Sequence, residues 1–307
     1  MVDSTIKAVH DHYSSIARSN LSANTSHAQE VASSFGYSAS ELADSPSESN
    51  LGLSCGNPFA IAGIKEGETV IDLGSGGGFD IFQASRKVGP SGYALGVDSS
   101  ADMISLALRN KEKGGNAYAN VQFILSDITA IPLESHSADC IISNCVINLL
   151  EQEKKRVCFA ECFRLLKEGG RLAVSDILAK KTIPEELRKD LGLYVGCVSG
   201  ASLVKEYEGW LREAGFEGIL IVDKKTDLNI YKERAPASES NTAGEDTKDV
   251  GSVCCAPAVA CCGTNPPDND KVGSEEALAE RVADIDFNEW VSSYSIYAVK
   301  LEIGSEK

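Results

Sequence analysis

The fold of this chain is decided by Val70-Ile71-Asp72-Leu73-Gly74-Ser75-Gly76-Gly77-Gly78-Phe79-Asp80. This stretch predicts a buried strand over Thr69–Leu73, a glycine-rich turn, and a helix that begins at Phe79. Glycines let the backbone turn sharply and approach a ligand closely. Open α/β sheets bind nucleotides at such a turn, at the carboxyl end of a strand. The stretch therefore predicts a nucleotide-binding α/β domain.

Strand-type apolar runs and helical stretches alternate after this turn. Helices are predicted over Phe79–Val88, Ala101–Lys113 and Lys154–Lys167, and the third has one apolar face made of Val157, Cys158, Cys162, Leu165 and Leu166. Further strands are predicted at Tyr93–Val97, Val121–Leu125, Ala138–Ser143, Arg171–Ser175, Gly218–Val222 and Trp290–Leu301. This alternation predicts an α/β fold with a doubly wound, mostly parallel sheet.

Composition divides the chain into five segments. They are a helical N-terminal segment (1–64), the nucleotide-binding core (65–178), a looser region with a further strand (179–234), a polar linker (235–284), and a last strand with a tail (285–307). Outside the core, helices are predicted at Ser4–Ile16, His27–Phe35, 58–64, Pro184–Tyr194 and Ser202–Ala214. The segment 235–284 is rich in Ser, Ala, Gly, Asp and Glu, which predicts a mobile linker.

The bulk composition excludes several classes of protein. The formal net charge of −16 argues against nucleic acid or an anionic membrane as the main partner. No apolar run reaches the roughly 20 residues that span a bilayer. The polar N-terminus lacks the apolar centre of a signal peptide, so a cytoplasmic location is expected. The ten cysteines are then expected to be reduced thiols rather than a disulfide scaffold.

Acidic residues at the strand ends distinguish two kinds of nucleotide site. Asp98 ends the second strand and can accept bonds from two ribose hydroxyls, which suits both NAD and S-adenosylmethionine. Asp72, just before the glycines, resembles the methyltransferase pattern, whereas NAD fingerprints usually have a small residue there. Asp127, after the third strand, resembles the methyltransferase residue that contacts the adenine amino group. These features favour S-adenosylmethionine, although a turn or cap role for Asp72 or Asp127 stays open.

The predicted cofactor-binding residues are Asp72, Gly74, Ser75, Gly76, Asp98, Met103, Asp127, Ile128 and Asn144, with Tyr13 as a further candidate.

Three cysteines have small or polar neighbours instead of bulky core residues. Cys55 lies in Ser54-Cys55-Gly56-Asn57-Pro58, and because a helix start follows, its pKa is expected to be low. Cys145 follows the fourth strand, at the functional edge of the sheet, and Cys197 lies in a segment of small residues. By contrast, Cys140, Cys158 and Cys162 lie on apolar faces and are predicted to pack in the core.

With these segments in view, the sequence resembles the arsenite methyltransferases. The resemblance covers Gly36–Ser38, Leu51–Asn57, the cofactor core, Ser143–Leu149, Gly196–Ala201 and Tyr294–Lys300. It implies a class I, Rossmann-like methyltransferase fold with an arsenic-binding C-terminal region. It also implies methyl transfer from S-adenosylmethionine to trivalent arsenic that is bound by Cys55, Cys145 and Cys197. Thioredoxin or glutathione would act as the thiol reductant in this arsenic detoxification.

The chemistry agrees with this resemblance. Trivalent arsenic is soft and prefers thiolate ligands. Three sulfurs around arsenic form a trigonal pyramid whose lone pair points at the sulfonium methyl group. The lone pair needs no deprotonation, so no general base is required. The four histidines, His10, His12, His27 and His136, accordingly lie outside every motif.

Two features leave alternatives open. Many relatives have an N-terminal cysteine where this chain reads Ala32-Ser33-Ser34, so we expect methylated trivalent arsenic to be a better acceptor than arsenite. Cys254, Cys255, Cys261 and Cys262 lie in the acidic linker and are candidate auxiliary arsenic ligands. The alternative functions are a small-molecule methyltransferase with a carbon or oxygen acceptor, and a soft-metal-binding protein without turnover.

Overall fold

A computed structural model describes residues 11, 13–18, 25–185, 197, 198, 200–229 and 285–302. Its centre is a seven-stranded sheet with the order β3-β2-β1-β4-β5-β7-β6. The strands are β1 (Thr69–Leu73), β2 (Tyr93–Asp98), β3 (Val121–Leu125), β4 (Ala138–Asn144), β5 (Leu166–Ala179), β6 (Glu217–Asp223) and β7 (Val291–Val299). The predicted strands are therefore confirmed, with β5 longer than expected.

Helices connect and cover these strands. They are α1 (Thr25–Ser34), α2 (Ala39–Asp44), α3 (Phe59–Ala62), α4 (Phe79–Val88), α5 (Ala101–Gly114), α6 (Gln152–Leu165), α7 (Val204–Ala214) and α8 (Phe287–Trp290). Trp290, predicted as the start of a strand, ends α8 instead. Residues 13–18 are helical, as predicted, whereas most of the helix predicted at Pro184–Tyr194 lies outside the described residues.

The sheet is parallel from β3 to β5 and antiparallel at β7. β7 lies between β5 and β6 and pairs antiparallel with both, with Ser295 opposite Ser175 on one side and Val222 on the other. The sequence predicts that the last strand returns to the sheet, and this is confirmed. The last strand of the chain is thus an interior strand.

Because successive side chains of a strand point to opposite faces of the sheet, a hydrophobic cluster lies on each face. Ile71 and Ile141 join the cluster beneath α6 and α7, while Val70 and Ile142 join the cluster beneath α3 and α4. A strand covered on both faces is apolar at nearly every position, which explains the continuous apolar runs in the sequence.

Helix α6 has a narrower apolar face than predicted. Cys158, Phe159 and Cys162 are buried, but Val157 is 51% exposed, so its assignment to the core was wrong. Phe159 packs edge-on against Tyr207 of α7 at 4.9 Å between ring centroids.

Asn229, which follows β6, and Asp286, which precedes α8, are in contact, and we call this contact the neck. The Asn229 amide donates to Asp286 Oδ1 at 2.9 Å, and its oxygen accepts the Phe287 N–H at 3.1 Å. The described residues on both sides of this contact belong to one compact unit. The four linker cysteines lie outside the described residues.

No helix among the described residues is both long enough and apolar enough to cross a bilayer.

Phe159→Ala is expected to lower the free energy of unfolding by about 3–5 kcal/mol, because it leaves a cavity between α6, α7 and the sheet. Val157→Ala on the same helix is the control and should change it by less than about 0.5 kcal/mol. Urea unfolding followed by circular dichroism measures both. Equal losses in the two variants would show that the face of α6 is wrongly assigned.

Candidate functional site

A cavity opens at the carboxyl ends of β1, β2 and β4. It is lined by all nine predicted cofactor-binding residues, namely Asp72, Gly74, Ser75, Gly76, Asp98, Met103, Asp127, Ile128 and Asn144, and also by Tyr13. They converge because parallel strands end at the same edge of the sheet.

The glycine turn is fixed by backbone bonds to β2. The N–H groups of Gly74 and Ser75 both donate to the Val97 carbonyl, at 2.8 and 3.0 Å. Asp98 then accepts the Gly76 N–H at 2.9 Å with one carboxylate oxygen and the Ser100 N–H at 2.8 Å with the other. Gly74 has φ +68°, and a Cβ there would lie 2.5 Å from Val146 Cγ2. Only glycine fits this position.

Acidic residues outnumber basic ones in the lining of the cavity, with five carboxylates, Asp72, Asp80, Asp98, Asp127 and Glu151, against one lysine, Lys154. Burial raises the pKa of Asp80 to about 6, although hydrogen bonds from Tyr37 and Asn144 oppose the rise. Burial and the neighbouring charges of Asp80 and Asp98 hold the pKa of Asp72 well above its usual value. Such a cavity is suited to a cationic ligand.

Asn144, at the end of β4, joins the cavity to the segment that carries Cys55. Its Oδ1 accepts the Cys55 N–H at 3.0 Å, and its Nδ2 donates to the Gly56 carbonyl at 2.9 Å. The same Nδ2 lies 3.0 Å from the Tyr37 hydroxyl, which donates to Asp80 Oδ1 at 2.7 Å. One amide thus connects the first cysteine segment to the buried acid of α4.

The three cysteines singled out in the sequence meet beside this cavity. The Sγ atoms of Cys55, Cys145 and Cys197 all lie within 4.8 Å of one another, and all three residues are buried. Cys145 also lines the cavity. Side chains that lie about 50 and 90 residues apart in the chain therefore form one cluster of sulfur atoms.

Cys55 and Cys145 form a disulfide in this structure, with their Cα atoms 5.6 Å apart. That separation is within the range where disulfides form without backbone movement. The expectation of reduced thiols is wrong for this pair. The helix that follows Cys55 in the sequence is α3, a single turn that begins only at Phe59.

The backbone is strained at two of the three cysteines. Cys145 has φ +62° and Cys197 has φ +67°, in the left-handed region that side chains rarely occupy. The Cys145 N–H donates to the Ser175 carbonyl at 2.9 Å, and Cys197 Sγ donates to the Cys145 carbonyl at 2.9 Å. Such strain persists only where the surroundings over-determine it, and it is typical of functional sites.

Strands β5 and β7 support the segment of Cys55 from below. The Ser293 hydroxyl of β7 donates to the Cys55 carbonyl at 2.5 Å. Gly56 packs so closely on β5 that a Cβ there would lie 2.6 Å from the Cβ of Ser175. The site therefore needs a glycine directly after Cys55.

The remaining described cysteines are core residues, as predicted. Cys140, Cys158 and Cys162 are all at most 1% exposed. Burial raises the pKa of the Cys140 thiol to about 12, and a hydrogen bond with Cys162, followed by burial, raises that of Cys158. These thiols are inert under ordinary conditions.

Comparison with known families identifies the fold. A family model described as "Methyltransferase domain" matches residues 64–215, which hold the glycine turn, β1–β5, Cys145 and Cys197. The chain has the fold of the class I methyltransferases, and residues 64–215 are similar to that domain.

Several curated relatives of this chain are named arsenite methyltransferases. That of Halobacterium salinarum is 45% identical over 190 residues, which cover 62% of this chain and 48% of the relative. The human protein is 34% identical over 154 residues, covering 48% of this chain and 40% of the relative. The matches thus span about half the length of these relatives or less.

A solved structure from Chlamydomonas reinhardtii, described as an arsenic(III) S-adenosylmethionine methyltransferase, has the same fold. Its TM-score is 0.52 at 22% identity, with 90% of this chain and 75% of that chain covered.

Sequence reasoning missed several residues of this site. Asp80 is one, although its place in the first turn of the helix after the glycines was a usable signal. Tyr37 and Ser293 are others, and nothing in their local sequence points to β4 or to Cys55. Long-range contacts of this kind need the fold.

Gly56→Ala is expected to displace the Cys55 segment, since its Cβ overlaps Ser175, and to lower the free energy of unfolding by about 1–3 kcal/mol. The fraction of Cys55–Cys145 disulfide in a glutathione buffer should fall as well. Urea unfolding and non-reducing peptide mapping measure the two effects.

Two variants control for the steric cause. Gly209→Ala, whose Cβ would meet nothing within 4 Å, should keep the disulfide. Adding Ser175→Gly to Gly56→Ala should restore part of it. A double variant no better than Gly56→Ala would contradict the steric explanation.

Proposed function

We propose that this methyltransferase transfers methyl groups from S-adenosylmethionine to trivalent arsenic bound by Cys55, Cys145 and Cys197. The observation that carries the proposal is the convergence of the three Sγ atoms within 4.8 Å, next to a cavity that Cys145 itself lines. The names of the relatives from Halobacterium salinarum and human support the same substrate.

The cavity fits S-adenosylmethionine. Ser75 Oγ is buried there without a hydrogen-bond partner among the described residues, and the space above Gly76 is open, with Leu51 Cδ1 3.9 Å from an added Cβ. Asp98 accepts one backbone N–H with each of its two oxygens, and because a carboxylate oxygen has two lone pairs, Asp98 is suited to bind ribose hydroxyls. The negative lining complements a sulfonium and an ammonium group. When bound, S-adenosylmethionine supplies an electrophilic methyl group.

The residues of this chain would hold that ligand at three points. Asp98 would accept from the ribose, and Asp127 and Ile128 would lie against the adenine. Asp72 and Asp80 would face the cationic end of the ligand. Asn144 would fix Asp80 and the Cys55 segment in one arrangement, so that the methyl donor and the thiols keep a constant relation.

Arsenic binding requires reduction of the Cys55–Cys145 disulfide. Two electrons and two protons from a thiol reductant give two thiols, which with Cys197 make three soft ligands. The bound arsenic keeps its lone pair, and the thiolates hold it in position for attack on the methyl carbon. Positioning of this kind is worth about 7–11 kcal/mol in favourable cases.

A reductant is also needed after methyl transfer. When the lone pair forms the As–C bond, arsenic becomes pentavalent, and two electrons must return it to the trivalent state. The cysteine cluster can supply them by closing the Cys55–Cys145 disulfide, which thioredoxin or glutathione then reduces. Whether methylated trivalent arsenic is preferred over arsenite, as Ser33 and Ser34 suggest, stays a prediction, as does auxiliary binding by the linker cysteines.

Two other functions make different predictions. A methyltransferase with a carbon or oxygen acceptor would keep its activity after Cys145→Ser. A soft-metal-binding protein would bind arsenite but would not consume S-adenosylmethionine. Incubation with arsenite, S-adenosylmethionine and thiol, followed by arsenic speciation, separates all three.

Cys55→Ser, Cys145→Ser and Cys197→Ser are each expected to lower arsenite methylation at least about 100-fold, because each removes one of three ligands. Arsenic speciation by liquid chromatography with mass spectrometry measures the products. Binding of S-adenosylmethionine, measured by calorimetry, should stay within about threefold for Cys55→Ser and Cys197→Ser. Cys140→Ala is the control and should retain activity, because Cys140 is a buried thiol of β4, the strand that leads to Cys145. Full activity in Cys197→Ser would remove the third ligand from the proposal.

Binding of S-adenosylmethionine is expected to weaken as the pH falls below 6, because Asp80 has a pKa of about 6 and loses its charge. One such group weakens binding by up to about tenfold per pH unit below its pKa. Asp80→Asn should bind less tightly at pH 8 and show a flatter profile.

The stability of the ligand-free protein should change in the opposite direction. The folded pKa of Asp80 lies above the ordinary value of 3.8, so the folded state holds the proton longer than the unfolded state. Its contribution to stability is therefore greatest below about pH 4 and is lost as the pH rises through 6. Weaker binding at low pH accompanied by unfolding would count against the charge explanation.

A further inference from the structure

Lys155 of α6 is buried where the two strained cysteine segments meet. Its side chain is only 2% exposed, although lysine is rarely buried unless its charge is compensated. The ammonium group donates to Asn148 Oδ1 at 3.2 Å, to the Gly200 carbonyl at 2.5 Å and to Ser202 Oγ at 2.9 Å. Its partners come from two separate stretches of the chain.

Two of these partners, Asn148 and Gly200, have the same sequence spacing from a cysteine of the cluster. Asn148 is the third residue after Cys145, and Gly200 is the third residue after Cys197. One ammonium group therefore bridges the ends of both cysteine segments. Since both cysteines have left-handed backbones, each segment needs such external contacts to keep its conformation.

The bridge is anchored to the sheet through Asp176 of β5. Asn148 Nδ2 donates to Asp176 Oδ1 at 2.8 Å and to the Ile177 carbonyl at 2.5 Å. The Tyr207 hydroxyl of α7 donates to Asp176 Oδ2 at 2.9 Å. Burial raises the pKa of Asp176 to about 6, and the charge of Lys155 opposes that rise. The ammonium and the carboxylate are thus linked through one amide.

We propose that Lys155 is a positioning residue that holds the segment of Cys197 against the segment of Cys145, so that the two sulfurs are in place before arsenic arrives. The inference rests on the proposed function and adds a determinant of arsenic affinity. Lys155 does not touch the arsenic. It acts through Gly200, Ser202 and Asn148, and it lowers the cost of ordering the third ligand. Contacts behind metal ligands of this kind are typically worth about 10–100-fold in affinity.

The test measures arsenite binding to the reduced full-length chain by calorimetry. Every protein compared in this test carries Cys254→Ser, Cys255→Ser, Cys261→Ser and Cys262→Ser, so that arsenite binds to the cluster of Cys55, Cys145 and Cys197. Lys155→Met keeps the length and the apolar stem of the side chain and removes the charge and the hydrogen bonds. It is expected to weaken arsenite binding about 10–100-fold while binding of S-adenosylmethionine changes less than about threefold.

Lys300→Met is the matched control. Lys300 is also buried, at 5% exposure, and its ammonium donates to the Phe163 and Leu166 carbonyls at 2.8 Å each, away from the cysteines. Lys300→Met also removes a buried ammonium group, but it should leave the affinity for arsenite unchanged. A loss equal to that of Lys155→Met would mean that general destabilisation is the cause, and would overturn the proposal.

A double-mutant cycle with Cys197→Ser separates positioning from a merely structural role. With Cys197 absent, Lys155→Met has no third ligand to position, so it should weaken arsenite binding by the two remaining thiols less than about twofold. The same loss with and without Cys197 would overturn the proposal. If Lys155→Met does not fold, Ser202→Ala replaces it in the same cycle, with a smaller loss expected that also requires Cys197.

Failure of the proposed function is distinguishable from failure of this inference. If the protein with an intact central cluster does not bind arsenite, the proposed function is wrong. If that protein binds arsenite and Lys155→Met binds it equally well, only the role of Lys155 is wrong.

Discussion

The amide of Asn144 is the contact on which the site depends. It stands at the end of β4, where the cavity for the methyl donor and the cysteine cluster meet. With its oxygen it holds the backbone of Cys55, and with its nitrogen it reaches Gly56, Tyr37 and Asp80. A carboxamide both donates and accepts, which a carboxylate at this position could not do. The proposed geometry of methyl transfer therefore depends on a neutral residue beside the buried Asp80.

The strand order explains how three distant cysteines come together. β4 ends next to Cys145, β5 lies beneath Gly56, and β7 enters between β5 and β6 with Ser293 under the Cys55 carbonyl. In the proposed function, a methyl donor at the ends of β1 and β2 would be adjacent to acceptor ligands at the end of β4.

The sequence was sufficient for the sheet and for most of the cavity, because these depend on local patterns. The apolar runs predicted the first and last residues of β1 and β3. The acidic residues at strand ends predicted that Asp98 and Asp127 line the cavity. The convergence of Cys55, Cys145 and Cys197 came from resemblance, since spacing alone cannot bring them together. Lys155 was unpredictable: on a helix with an apolar stripe, a lysine usually faces solvent, and only the fold reveals the carbonyl of Gly200 beside it. The disulfide likewise depends on the distance between two segments that are remote in the chain.

The neck between Asn229 and Asp286 has a consequence for the evolution of this chain. Asn229, which follows β6, and Asp286, which precedes β7, are joined by a hydrogen bond, and this contact helps to hold the antiparallel pairing of the two strands. The entropic cost of closing a loop grows only slowly with its length. The length of the intervening sequence can accordingly change at this junction at a small entropic cost.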